Sequence, residues 1–292
     1  MNYKKWLKNN TQPLNGKTVA ITGATGGLGK EICRYILMLN GNLVLINRNA
    51  EKTSLLKQQL LDDFPNAEIM CFSADMEELS SVKSVISEIE NLPIDILILN
   101  AAAYSIPRKI TTEGFDNVFQ INFVSPYFLA QKLISGLSER RGRVVVVGSI
   151  AHNYSKADFS DIDFSEKNFC NLVYGNSKRY LMYAMFELFK EKEGVTLSVV
   201  HPGITFTNIT AHYPKWLFAI IKHPMKIIFM KPKKAALSII KGIFSSTEYH
   251  TWIGPEFFDI WGLPKKKKLK TCDINESRKI FEISQNIFSE LS

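Results

Sequence analysis

Tyr174 and Lys178 stand four residues apart in a stretch with helical spacing, and Ser149 precedes them by about twenty-five residues. An i,i+4 pair shares one helix face, so the lysine ammonium is expected beside the tyrosine phenol. A free phenol ionises near about 10. A fixed positive charge beside it would favour the deprotonated form and let it trade a proton with an alcohol or carbonyl near neutral pH. Singly, each residue has a structural alternative: Ser149 as a loop cap, Tyr174 as a core aromatic with a wet hydroxyl. Jointly, in this order, they predict hydride-transfer chemistry with Tyr174 as the acid/base.

A second constellation lies near the start of the chain. Thr22-Gly-Ala-Thr-Gly-Gly-Leu-Gly29 directly follows a predicted strand and opens a predicted helix, the context in which a glycine pattern reads as a dinucleotide site. Gly23, Gly27 and Gly29 allow a tight turn, and the helix N-terminus around Thr25 and Leu28 offers N–H donors to a pyrophosphate. Asn47 falls about 18 residues beyond Gly29, where an NAD site usually places a carboxylate for the ribose hydroxyl. Arg48 follows instead, and a guanidinium there suits the 2′-phosphate of NADP. NADP(H) is therefore expected over NAD, although Arg48 also reads as an exposed loop residue.

The elements needed to position these groups are legible as an alternation of short β-rich runs and longer helical patterns, which predicts a doubly wound parallel sheet with helices on both faces. Strands are expected at Thr18–Thr22, Leu43–Asn47, Glu68–Phe72, Asp95–Leu99, Arg143–Gly148 and Thr196–Val200, mostly continuous apolar runs as in strands covered on both sides. Helical spacing covers Gly27–Leu39, Glu51–Leu61, Leu79–Glu90, Thr112–Gly136 and Val173–Glu191. With no repeat or low-complexity linker, the 292 residues read as one Rossmann-like domain, with an N-terminal arm (1–15), an apolar stretch (205–231) and a basic C-terminal extension (264–292).

Hydrophobic residues make up 46% and charged residues 22% of the chain, which excludes a disordered protein. Cys33, Cys71, Cys170 and Cys272 are too scattered for a zinc site or a disulfide framework. His152 and His201 have no second ligand at a plausible spacing, so no metal is expected; His152 keeps a possible substrate contact and His201 reads as a packing residue. The first twelve residues lack the apolar run of a secretory signal, and no apolar segment reaches the roughly 20 residues of a spanning helix. A cytoplasmic protein is expected. The charge of +8 is uneven, because residues 222–292 hold 13 Lys or Arg against 7 Asp or Glu, densest at Lys265–Lys268 and Lys270. A solvated basic surface is the expected reading and contact with anionic lipid the next, while no nucleic-acid motif accompanies the run.

On these residues the chain resembles the short-chain dehydrogenase/reductase family over nearly its whole length. The turn has the family's Thr-Gly-x-x-x-Gly-x-Gly form, and Ser149, Tyr174 and Lys178 match its serine and Tyr-x-x-x-Lys pair. The resemblance implies that Ser149 holds the substrate oxygen, that Lys178 also bonds the nicotinamide ribose, and that Asp75 contacts the adenine. Asn122 would anchor a water of the proton relay, and Pro202, Gly203 and Thr207 would hold the nicotinamide amide. The family's Asn-Asn-Ala-Gly reads Leu99-Asn-Ala-Ala102 here, keeping Asn100 and Ala101 where the cofactor passes. Ser149-Ile-Ala-His152, Tyr174-Gly-Asn-Ser-Lys178, Arg48 and the Phe257–Phe258 region are most similar to the retinol dehydrogenase and protochlorophyllide reductase-like branch.

The expected function is NADP(H)-dependent interconversion of a lipophilic alcohol with its aldehyde or ketone; the alternative is a catalytically silent NADP(H)-binding regulatory protein of the same fold. Trp216–Met230 reads as a substrate lid beyond the carboxyl ends of the strands, and with Lys215, Lys222, Lys226, Lys231, Lys233 and Lys234 it is a candidate for peripheral membrane contact. Relatives imply a homodimer paired through the helices around Asn122 and Tyr174.

Overall fold

The computed structural model describes residues 3–204 and 230–292. Thr207, and the expected lid up to residue 229, lie outside the described residues. Six strands fall within one residue of the apolar runs that predict them: β1 (Thr18–Thr22), β2 (Asn42–Asn47), β3 (Ile69–Ser73), β4 (Ile94–Leu99), β5 (Arg143–Val147) and β6 (Thr196–Val200). They pair in parallel in the order β3-β2-β1-β4-β5-β6. The expected doubly wound sheet is the observed one.

Side chains alternate across each strand, so β4 gives Leu97 and Leu99 to one buried layer and Ile96 and Ile98 to the other. Leu99, which replaces the first asparagine of the family pattern, is thereby core. Helices α2 (Gly27–Met38) and α3 (Ala50–Asp63) cover one face; α4 (Leu79–Ile89), α6 (Ser125–Glu139) and α7 (Cys170–Leu188) cover the other. The N-terminal arm forms α1 (Tyr3–Asn10), whose Trp6 and Leu7 join the first layer.

The helix expected from Thr112 starts later. Ile110 and Asp116 bridge across a turn, and the Asp116 carboxylate accepts from the amides of Val118 (2.9 Å) and Phe119 (3.3 Å), capping the short α5 (Asn117–Phe119). A π-turn over Gln120–Val124 then carries Asn122 into α6. Such a widened turn re-aims side chains within a helix, and here it turns Asn122 toward α7.

The largest departure from expectation lies beyond β6. Helix α8 (Pro232–Phe244) returns to the α2 face, and β7 (Thr251–Phe257) and β8 (Trp261–Lys268) extend the sheet, β7 parallel to β6 and β8 antiparallel to β7. Pro255 and Pro264 face each other across the hairpin, and the run Lys265–Lys268 is half of β8. Prolines and lysines conceal a strand from propensity, yet suit an edge, where missing donors are tolerated and charge discourages pairing with another chain. The basic run is thus a strand of the sheet, and its Lys265, Lys266 and Lys268 are solvated as expected. Helix α9 (Ile274–Leu291) completes the extension and lies on α6 and α7, with Phe288 5.2 Å from Phe128 between ring centroids.

Candidate active site

The glycine turn joins β1 to α2 at the carboxyl end of the sheet. Gly23 has φ +70, and a Cβ there would sit 2.8 Å from the Cα of Ala101; one on Gly29 would sit 2.5 Å from the Gly23 carbonyl oxygen. Both positions therefore require glycine. The Thr22 and Asn100 side chains stay within the protein: Thr22 Oγ1 accepts from the amides of Asn100 and Ala101 (both 3.0 Å), and Asn100 Nδ2 donates to the carbonyls of Thr22 and Gly23 (both 3.0 Å). These bonds form a clamp that shapes the cradle in which the cofactor is expected.

Helix α2 begins at Gly26 with no side-chain cap, which keeps its first amides, around Gly27 and Leu28, clear of side-chain competition. Asn47 Oδ1 accepts from the Thr25 amide at 3.3 Å, while its buried Nδ2 has no partner. The Arg48 guanidinium is 69% exposed and 3.9 Å from Asp75. An uncapped helix N-terminus, a cradle closed to any Cβ, an unpaired buried donor and a largely exposed guanidinium fit a dinucleotide with its pyrophosphate on α2. Gly23→Ala is expected to weaken NADPH binding about tenfold or more, the left-handed backbone alone costing about 1–2 kcal/mol. Fluorescence titration would measure it; unchanged affinity would remove the turn from the site.

Ser149, Tyr174 and Lys178 come together at the ends of β5 and the start of α7. Ser149 begins the short 3-10 turn Ile150–Asn153, its Oγ accepting from the Ala151 amide at 3.2 Å, and it lies within hydrogen-bonding reach of the Tyr174 phenol. Lys178 is 1% exposed, donates from Nζ to the Val147 carbonyl at 3.0 Å, and stands 6.0 Å from the centroid of the Tyr174 ring. Asn122 donates to the Ala103 carbonyl (2.9 Å) and to Ser177 Oγ (3.0 Å) and accepts from the Ala103 amide (2.8 Å). It fastens the loop after β4 to α7, so its side chain serves as a brace. Pro202 and Gly203 follow β6, where the Met230 amide donates to the Ile204 carbonyl at 2.8 Å and joins the two ends of the segment 205–229.

The expected electrostatics are corrected. Burial pushes the Tyr174 phenol up to about 12, partly offset by the Ser149 hydrogen bond and reinforced by Tyr154. Burial also pulls Lys178 down to about 8. The same low-polarity surroundings disfavour both charges, and the amine points at the last carbonyl of β5, so it does not draw the phenol below its ordinary value in this arrangement.

Sequence reading missed the wall of the site. Tyr104 sets its ring edge-on to Tyr174 with centroids 5.2 Å apart, and hydrogen-bonds Asn171, one turn before the catalytic pair. No local signal marks Tyr104, since the contact spans seventy residues of sequence. His152 is fully buried and held by burial down to about 4, with Nδ1 2.6 Å from the Ser149 carbonyl and Nε2 2.9 Å from Thr271 Oγ1. It therefore faces the protein and not a substrate. His201, stacked on Trp252 at 5.1 Å and held to about 3 chiefly by burial, is the packing residue expected.

Comparison with known proteins gives the family and the fold. The family profile described as short chain dehydrogenase matches residues 17–217. The chain is 30% identical over 214 residues to "Short-chain dehydrogenase TIC 32 A, chloroplastic" of Brassica napus, covering 67% of this chain and 66% of that one, just under two thirds of the relative's length. It is 30% identical over 301 residues to "Retinol dehydrogenase 14" of Homo sapiens, covering 93% of this chain and 86% of that one. Among solved structures, a putative uncharacterized protein from Mycobacterium Paratuberculosis superposes with a TM-score of 0.76 at 20% identity, covering 95% of each chain.

Proposed function

Because the chain belongs to the short-chain dehydrogenase/reductase family, we propose that it is an oxidoreductase that reduces a lipophilic aldehyde or ketone with NADPH, Tyr174 supplying the proton. The observation that carries this reading is the meeting of the Ser149 hydroxyl with the Tyr174 phenol, one helical turn from the buried Lys178 amine. The bound nicotinamide would supply or take the hydride at the substrate carbon. Ser149 would hold the substrate oxygen, and Tyr174 Oη would pass its proton to that oxygen as negative charge develops there. A phenol held protonated by burial suits this direction, because an alkoxide is a much stronger base than a phenolate and takes the proton readily. Lys178 Nζ, which among the described residues donates to the Val147 carbonyl and carries three donors, would bond the nicotinamide ribose and return a proton to the phenolate. Asp75 is assigned to the adenine, Ala101 to the cofactor's path over the cradle, and Pro202, Gly203 and Thr207 to the nicotinamide amide.

The Tyr104 ring beside Tyr174 supports an apolar substrate, since it adds aromatic surface next to the reacting phenol. Purified protein screened with NADPH against hydrophobic aldehydes and ketones should show loss of nicotinamide absorbance; silence across the panel, with NADPH bound, would favour the regulatory alternative.

The NADP preference is assigned to Arg48. Arg48→Ala should raise the KM for NADPH about tenfold or more while leaving that for NADH within a factor of two, because one charge-assisted hydrogen bond to a phosphate contributes about 1.5–3 kcal/mol. Equal losses for both cofactors would refute the assignment. Asp75, 3.9 Å away, competes for the guanidinium, so the preference should shrink in high salt.

We extend the reading to contact with an anionic membrane surface. Phe258 is 84% exposed at the tip of the β7–β8 hairpin, and the exposed Lys265, Lys266 and Lys268 lie farther along the same hairpin, opposite Gly254, Ile253 and Thr251. No described helix is long and apolar enough to cross a membrane, so the contact would be peripheral. Anionic vesicles should float the protein and release a variant with these three lysines changed to Glu; no flotation of the wild type would reject the extension. A dimer paired through α6 and α7 would have to include α9, which lies on both.

A further inference from the structure

We propose that Arg179, gripped by Glu276 of the C-terminal helix, is a positioning residue for the turn that presents Ser149 to the substrate, an inference that rests on the reductase reading above. Arg179 follows Lys178 on α7 and is 5% exposed in its side chain. Its Nε donates to the His152 carbonyl at 3.0 Å, and its Nη1 to Glu276 Oε2 at 2.5 Å and to Tyr183 Oη at 3.2 Å. The guanidinium therefore spans from the end of the Ser149 turn to α9.

Glu276 stands three residues after Asp273, which caps α9 by accepting from the Glu276 amide at 2.9 Å. A glutamate at this place ordinarily reaches back to the amide of the capping residue. Here its two oxygens go elsewhere, Oε2 to Arg179 and Oε1 to the Ala157 amide at 2.7 Å, just past the turn. The carboxylate is 12% exposed. A charged pair this far from water is costly unless every donor and acceptor is used, and the use made of these is to hold residues 152–157.

The other end of the turn is fixed through His152. The Ser149 carbonyl can only accept, so Nδ1 carries the proton of the neutral ring and Nε2 accepts from Thr271 Oγ1. Thr271 belongs to the link between β8 and α9, and its carbonyl accepts from Tyr183 Oη at 2.9 Å. At Gly175 the backbones of α7 and the turn touch, since a Cβ there would lie 2.3 Å from the Ala151 carbonyl oxygen. Thus the stretch from Ser149 to Ala157 is set by side chains of α7 and of the C-terminal extension, which makes that extension part of the apparatus that aims Ser149.

The test pairs two measurements. In steady-state kinetics Arg179→Lys, which lacks the planar fork that reaches His152 and Glu276 through separate nitrogens, should lower kcat about ten- to a hundredfold with the KM for NADPH unchanged, as expected for a misplaced group at the reacting oxygen. In a Ser149→Ala background the same change should cost less than twofold, because the group it positions is already gone. The apolar pair Arg179→Met with Glu276→Leu, which avoids a lone buried charge, should retain the fold while speeding hydrogen–deuterium exchange in residues 149–157 and leaving β1–β4 unchanged. Multiplying losses in the kinetic cycle, or unaltered exchange in 149–157, would overturn the proposal. A wild-type protein that binds NADPH but reduces nothing would instead refute the reductase reading, and the exchange measurement would still decide this one.

Discussion

Tyr174→Phe is expected to lower kcat about a hundred- to ten-thousandfold, the usual contribution of a positioned acid or base, while the affinity for NADPH changes by less than a factor of three. The substitution removes one oxygen and leaves the ring against Tyr104. It also relieves the Ser149 hydroxyl of a partner that lies within its reach. Binding measured by fluorescence and turnover measured by absorbance should therefore separate cleanly. Turnover retained in the Phe variant would take the proton from some other donor and end the proposed role.

Lys178→Met is expected to abolish turnover and at the same time stabilise the protein at pH 7. The folded chain holds Lys178 at about 8 against 10.5 for the ordinary amine, because burial disfavours the ammonium. Below pH 8 both states carry the proton and folding bears the full cost, a shift of this size corresponding to about 3 kcal/mol at 1.36 kcal/mol per unit. Between pH 8 and 10.5 the unfolded chain binds the proton and the folded one does not, so wild-type stability rises with pH relative to the variant and the gap closes. Met keeps the stem's apolar packing without the charge. Denaturant unfolding at pH 7 and pH 10 should show a large gap at the first and a small one at the second; a variant less stable than wild type at pH 7 would mean that the amine's bond to Val147 outweighs its burial. On the proposed reading, a bound ribose would satisfy the same destabilised amine.

Local signals carried the sequence reading far. The strands β1–β6 were legible because strands buried on both faces read as apolar runs, and the glycine turn because two backbones cannot approach past a Cβ, as Gly23 against Ala101 bears out. Strand β8 was not, because its lysines and proline deny it any β pattern, and only pairing with β7 makes it a strand. The start of α5 was misread because the Asp116 cap depends on a bridge to Ile110.

The sequence by itself determined which groups are present and how they repeat along an element: a phenol and an amine one helical turn apart, a serine after a strand, and glycines where a helix begins. These follow from the fixed geometry of helix, strand and turn, which a few neighbouring residues suffice to specify. Tertiary structure alone decided how those groups behave. It placed Tyr104 on Tyr174, spent the Asn122 amide on Ala103 and Ser177, and joined Arg179 to Glu276 across 97 residues. It also reversed the expected sign at the phenol, because proton affinity depends on the water and dipoles packed around a group, and that environment is assembled from distant parts of the chain.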